Sequence, residues 1–376
     1  VLAHTFGQYG GNSGSAAHSK GSFMSTTGEL AVDVIEAVPT QPWHKPRAAQ
    51  RRDVLTYLAL AVAAYAIVMV TGVAGPDGWA LVFFVEILLL TVLRSRGIGR
   101  AKSTNAIVST VIGAGAVVAF APWMSIFVSL ITKGFHGLYV GYLFNDMRVT
   151  TPDDELNMGG VGHALIGSML MVLIATAITL PLGILSGVYL TEVRGRLTKV
   201  VRFVIQSMSG VPSIVAGLFI YTTVIALTGS FSGFAGALAL SVLMLPTVAR
   251  TAEEVLKLVP EDLRAASYAL GARQWRSSLM VVLPTVRSGL TTAAILGVAR
   301  VVGETAPLLL TSLSNNAFKF NPFDGPIASM PMYIFGLLQI GTEYSLNRAW
   351  SGSLVLMLIV LALFVTARRL GGKDKR

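Results

Sequence analysis

Apolar residues in this chain come as long unbroken runs, separated by shorter stretches that carry the charge. A helix needs about 20 mostly apolar residues to cross the hydrocarbon core of a bilayer. Spans are predicted on that basis at Val54 to Val73, Trp79 to Leu93, Ala106 to Ile131, His163 to Leu190, Phe203 to Leu227, Phe234 to Val248, Gly289 to Leu313 and Ala349 to Ala367. Eight spans put both ends of the chain on one side. Residues 1–50 are polar and Gly/Ser-rich and are read as a disordered tail. They lack the apolar core and cleavage site of a signal peptide, and Met24, heading "MSTTGELAVDVIEAVP", is the expected start.

Breakers interrupt two of these runs. "SMSGVPSIVAGLF" sets Gly210, Pro212 and Gly217 inside the fifth span, where freed backbone groups must be buried or line a cavity; an ordinary proline kink is the other reading. Pro246 in "VLMLPTVAR" is expected to bend or end the sixth span. "AGPDG" closes the first two spans into a hairpin, residues 54–93, which the basic "RSRGIGRAK" separates from a six-span core at 105–370.

Composition agrees with a polytopic all-α membrane protein. The 376 residues are 53% hydrophobic and 13% charged, and mean hydropathy is +0.67, too apolar for a soluble domain. Without cysteine there can be no disulfide, thiolate zinc site or cysteine-held cluster, and the five histidines show no metal-ligand spacing. No G-x-x-x-x-G-K-[ST] phosphate loop, H-E-x-x-H motif or nucleophile elbow is found.

The net charge of +10 matters by its placement. Lys45, Arg47, Arg51 and Arg52 precede the first span; Arg94, Arg96, Arg100 and Lys102 follow the second; Arg194, Arg196, Lys199 and Arg202 follow the fourth. Arg250, Lys257, Arg264, Arg273, Arg276 and Arg287 lie between the sixth and seventh, and five more basic residues follow the last. Opposite-side segments hold only Lys133, Arg148, Lys319 and Arg348, so the positive-inside rule puts both termini in the cytoplasm and nucleic acid is not the implied partner.

The cytoplasmic loop at 250–288 is long for a connection. Pro260 followed by Glu261 and Asp262 is a helix start, Leu263, Ala266 and Leu270 form a narrow apolar stripe, and Gly271 can end the helix before a second stretch reaches Pro284. Such a helix suits a groove on a partner protein, or it lies flat on anionic lipid.

This loop resembles the cytoplasmic signature of binding-protein-dependent ABC importer permeases: E-A-A, three residues, Gly, nine residues, Ile-x-Leu-Pro. Here it reads Ala265-Ala266-Ser267, Gly271, then Val281-Val282-Leu283-Pro284, with Ala265 where the family has an acid. "GGVGHALIGSMLM", "PLGILSGVYLTE", "SGVPSIVAGLFIY", "LMLPTVARTAEEVLKLVP" and "ARVVGETAPLLL", in that order, resemble the PstA-type permease family of phosphate ABC importers. The likeness spans about 105–370 and leaves the hairpin as an addition. It implies a type I importer core, a homologous sister permease, two copies of a separate ATPase, an extracytoplasmic phosphate-binding protein, and a multi-pass location in a bacterial or archaeal cytoplasmic membrane. ATP hydrolysis then belongs to another chain, and no cofactor is implied.

The seventh span, "TTAAILGVARVVGETAPLLL", carries Arg300 and Glu304. Charges at bilayer depth normally face a bundle interior or an aqueous path. Four residues apart on a helix, the two could pair, either as a structural ion pair or as a site whose guanidinium meets a crossing anion. The resemblance implies a transport role for both through the shared R-x-x-G-E-T pattern; Thr305 and Ser213 are further pathway candidates. The segment between the third and fourth spans, with Asp153, Asp154 and Glu155, is either a binding-protein contact or simply solvated. Rival readings are the same fold for phosphonate, sulfate or molybdate, and a membrane sensor or scaffold that moves no solute.

Overall fold

The structure is a computed structural model that describes residues 47–71, 75–95 and 99–372. The predicted tail lies outside these residues up to position 46, whereas positions 47–50, assigned to it, are helical; of the predicted turn AGPDG, Ala74 lies outside the described residues and residues 75–78 form the first turn of a helix. Among the described residues there are helices and turns but no strands.

The chain divides into two compact units, residues 1–114 and 115–376. In the first, α1 (Arg47–Thr71) packs on α2 (Gly75–Ser95). The Thr91 and Thr110 hydroxyls, 3.2 Å apart, link α2 to the start of α3 (Arg100–Gly134), within which the division falls.

In the second unit, α4 (Gly162–Val188) widens into a π-turn at Tyr189–Val193 and ends where Arg194 turns left-handed at φ 48°. Next come α5 (Thr198–Ser209), α6 (Ser213–Ile220) with wider turns as far as Thr228, and α7 (Gly233–Lys257). Ser232 caps α7 by accepting from the Ala235 amide at 3.1 Å. The loop helix is α8 (Glu261–Ala269), followed by short turns from Gln274 to Thr285 and by α9 (Arg287–Val301). A single turn, Ala306–Leu309, precedes α10 (Met330–Ile340) and α11 (Glu343–Gly372).

Five of these helices are long and apolar enough to cross a membrane: α1, α3, α4 with its π-turn, α7 and α11. Two bent pairs raise the number to seven when each is taken as one span: α5 with α6, at 109°, and the 274–285 turns with α9, at 76°.

Three predicted spans need correction. The fifth is not one rod, because the chain turns through Gly210, Val211 and Pro212 and leaves α5 nearly perpendicular to α6. The sixth runs through Pro246 to Lys257 instead of ending there. The seventh stops at Val301; Gly303 and Glu304 lie in a non-helical link, so the segment to Leu313 is not one helix.

Small residues let the inner helices meet. On α4, Gly183 and Gly187 face α7: a Cβ on Gly183 would lie 2.7 Å from a Val248 methyl, and one on Gly187 would lie 3.0 Å from the Ala252 Cβ. This small-xxx-small packing brings backbones close where lipid tails offer no hydrophobic drive. Met171, Leu240, Met244 and Val248 fill the centre, with Val301 and Leu308 closing it from the far end of α9.

Candidate functional site

Arg300 stands in the last turn of α9, where a cation complements the negative end of the helix dipole. Its side chain is exposed, and its Nη1 donates to the Thr247 hydroxyl of α7 at 3.1 Å. Thr247 follows Pro246, so the proline that was expected to disturb the sixth span sits within it beside the arginine's partner. Among the described residues no carboxylate pairs with Arg300. The predicted Arg300–Glu304 pair is absent because the helix that would set them one turn apart ends between them. Glu304 is half-buried in the link, its amide donating to the Val301 carbonyl at 3.2 Å.

Thr305 starts the short turn that follows, its carbonyl accepting from the Leu308 and Leu309 amides at 3.1 and 3.2 Å. That turn packs on α6, whose Gly217 lies so close to Pro307 that an added Cβ would come within 2.7 Å of the proline Cα. Ser213, half-buried, is the first residue of the same helix. The structure thus gathers the broken fifth span, Thr247 on α7 and the link carrying Glu304 and Thr305 around the end of α9. What results chemically is a guanidinium with most of its donors uncommitted, next to the Thr247 hydroxyl.

The loop was predicted closely. Pro260 precedes α8, Glu261 and Asp262 occupy its first turn, and Gly271 takes φ 80°, as a helix-ending glycine does. Nothing lies within 4 Å of a Cβ built on Gly271, so only its backbone conformation demands glycine. Ala265 and Ala266 are exposed, whereas Ser267 is buried and its carbonyl accepts from the Ala272 amide at 3.2 Å. Leu263, Leu270, Trp275 and Met280 are exposed apolar residues on the same loop. Leu283, half-buried, and Pro284, exposed, open its last turn.

Sequence reasoning missed what holds this loop in place. Arg264 donates from Nε and Nη2 to both carboxylate oxygens of Glu192 at 2.9 to 3.2 Å, and to the carbonyls of Val259 and Leu256 at 2.7 and 3.0 Å. The Glu192 side chain is only 3% exposed. Gln274 adds a bond from Nε2 to the Glu192 carbonyl at 2.6 Å. A bidentate, charge-assisted clamp therefore fastens α8 to the π-turn ending α4. Nearby, Glu253 on α7 pairs with Arg202 at 2.8 Å and Lys257 at 3.1 Å.

At the opposite segment, Arg348 of α11 is fully buried. It donates to the carbonyls of Met158, Asp154 and Glu155 at 2.6 to 2.9 Å, while its own carbonyl accepts from the Tyr142 hydroxyl at 3.0 Å. Burial pushes the Tyr142 phenol well above its ordinary value, so it remains a donor. The Asp153 carboxylate accepts from the Thr342 hydroxyl, and Asp146 accepts from the Phe318 amide at 3.3 Å. The backbone of the acidic segment is therefore tied to α11, while Asp153 and Glu155 stay exposed. Val140, Phe144 and Val149 remain exposed on it.

Residues 179–370 match the family described as binding-protein-dependent transport system inner membrane component. The phosphate transport system permease protein PstA of Yersinia pestis is 44% identical over 252 residues, covering 66% of this chain and 84% of that one. The phosphate transport system permease protein PstA 1 of Mycobacterium tuberculosis is 36% identical over 271 residues, covering 71% and 88%. With its apolar helices and this extent of likeness, the chain belongs to the binding-protein-dependent inner membrane permeases of the PstA type.

Proposed function

We propose that this chain is the transmembrane subunit of an ATP-driven importer of inorganic phosphate, with Arg300 on the substrate path. The observation carrying this reading is the uncommitted guanidinium beside Thr247, where an oxyanion can be met by a planar fork of donors whose charge cannot be lost. Glu304, held on the non-helical link after α9, Thr305 and Ser213 are the further candidates for the lining. The names of the relatives support phosphate over phosphonate, sulfate or molybdate.

The complete path forms with a homologous sister permease. Two copies of a separate ATPase dock on the loop through Ala265, Ala266, Ser267, Gly271, Leu283 and Pro284, and a binding protein delivers substrate on the other face. The chain crosses the membrane eight times, the hairpin at 54–93 standing apart from the core at 105–370, and both termini are cytoplasmic. The charge asymmetry of the loops supports that orientation.

The test is radiolabelled phosphate uptake in cells lacking their own high-affinity importer, supplied with the cognate partners and either this chain or Arg300→Gln. Uptake restored by this chain and abolished in a variant that still assembles is the expected result. No uptake from an assembled wild-type complex refutes the phosphate reading and favours another oxyanion or the sensor.

A further inference from the structure

A strongly basic cleft lies away from Arg300, at the elbow where α4 gives way to α5. It measures about 700 Å³ and is lined by Arg194, Arg196, Thr198, Lys199, Arg202 and Lys257 among others. Arg202 and Lys257 are committed to Glu253, and Lys257 also to Glu254. Arg194 uses its Nε on the Thr191 carbonyl at 2.8 Å. Among the described residues no carboxylate reaches Arg194, Arg196 or Lys199, so the cleft keeps an excess of positive charge.

The helix below the cleft has three faces. Val201 and Ile205 pack on Leu190 and Ala249. Lys199, Arg202 and Gln206 form a polar side. Val200, Phe203 and Val204, continued by Leu197 before the helix, form an apolar side that is exposed, Phe203 at 69%. Because α5 is bent 109° from α6, it lies close to the membrane plane when α6 lies along the membrane normal. A short helix in that plane, apolar on one side and basic on another, has the make-up of an element that sits at the headgroup level. The Arg264–Glu192 clamp puts the elbow on the same side of the membrane as the coupling loop.

We propose that this elbow binds the phosphate headgroup of an anionic phospholipid: Arg194, Arg196 and Lys199 take the phosphodiester, and Val200, Phe203 and Val204 lie against its acyl chains. The charge of the cleft selects the headgroup, and the exposed apolar side argues for a lipid over a free anion, which would leave that side uncovered. Because Glu192 and Arg194 flank the same turn, a seated lipid also steadies the base on which the coupling loop is clamped. The proposal rests on the membrane fold and not on the phosphate reading, so the two fail separately.

The test uses the purified complex of this chain with its partners in detergent, titrated with phosphatidylglycerol or phosphatidylcholine and read by native mass spectrometry. Phosphatidylglycerol is expected to be retained in preference to phosphatidylcholine. Arg196→Gln with Lys199→Gln should weaken that retention roughly tenfold or more. The charge-keeping pair Arg196→Lys with Lys199→Arg should restore it. Equal retention of the two lipids, or no loss in the neutralised variant, overturns the proposal. Displacement by inorganic phosphate also overturns it and assigns the cleft to a free anion. A photoreactive phenylalanine at position 203 gives a readout that does not depend on removing charge. Cross-links to lipid support the proposal, whereas cross-links to the ATPase or the sister permease make the elbow a protein interface and refute it.

Discussion

Arg348 and Arg300 are both arginines on helices of a membrane protein, and their surroundings are opposite. Arg348 is enclosed and spends its Nη1 and Nη2 donors on three backbone carbonyls of the segment at 154–158. Arg300 is exposed at a helix end and holds one hydroxyl. Backbone carbonyls left without donors are expensive, so a cation that serves three of them fastens structure, even with its Nε unpaired. A cation with spare donors remains available to a passing anion. The contrast separates an enclosed anchor from a cation with donors to spare, which is what the proposed transport role of Arg300 requires.

The comparison can be broken by removing each contact in turn. Arg348→Met should have the largest effect on stability, about 4 kcal/mol, because it empties a fully buried site and takes the donor from three part-buried carbonyls at once. Thermal unfolding of the purified complex and protease cleavage within 150–160 would show it, and an unchanged melting temperature would contradict the anchor role. Glu192→Gln comes next at about 3 kcal/mol, since it leaves Arg264 without its counter-charge in a nearly closed site. Its signature should be loss of the ATPase on purification while the permease pair survives.

Gly271→Ala should cost about 1 kcal/mol, from the left-handed backbone alone, as the space around it is open. Gly271→Asn tolerates that conformation better, so loss of ATP-driven uptake in a stable Gly271→Asn chain would locate the fault at the docking surface. Arg300→Gln should have the smallest effect on stability, within about 0.5 kcal/mol, although it abolishes uptake. If it instead unfolds or disassembles the complex, Arg300 is an anchor too and the contrast with Arg348 collapses.

The features visible beforehand were the local ones. Pro260, the acids after it and Gly271 bounded α8 correctly, because caps are read by side chains within a few residues. Gly210 and Pro212 marked a break but not its angle, which is set by Val201 and Ile205 docking on Leu190 and Ala249. The end of α9 at Val301 went unread although Gly303 and Pro307 signal it: a proline has no N–H for the carbonyl four residues back, that of Gly303, and its ring clashes there. Thr247 and Glu192 went unnoticed for a different reason, since their partners lie 53 and 72 positions away.

By itself the sequence determined the solvent of this protein, the identity of its runs, the placement of its charges and the motif of its loop. Each follows from composition, or from residues near enough in the chain to act on one another directly. Tertiary structure alone decided which arginine is enclosed and which is left open, how sharply the predicted spans break, and what clamps the loop helix. Those outcomes depend on carbonyls, carboxylates and small residues delivered by other helices, and a hydrogen bond or a close backbone contact exists only where the fold brings both partners together.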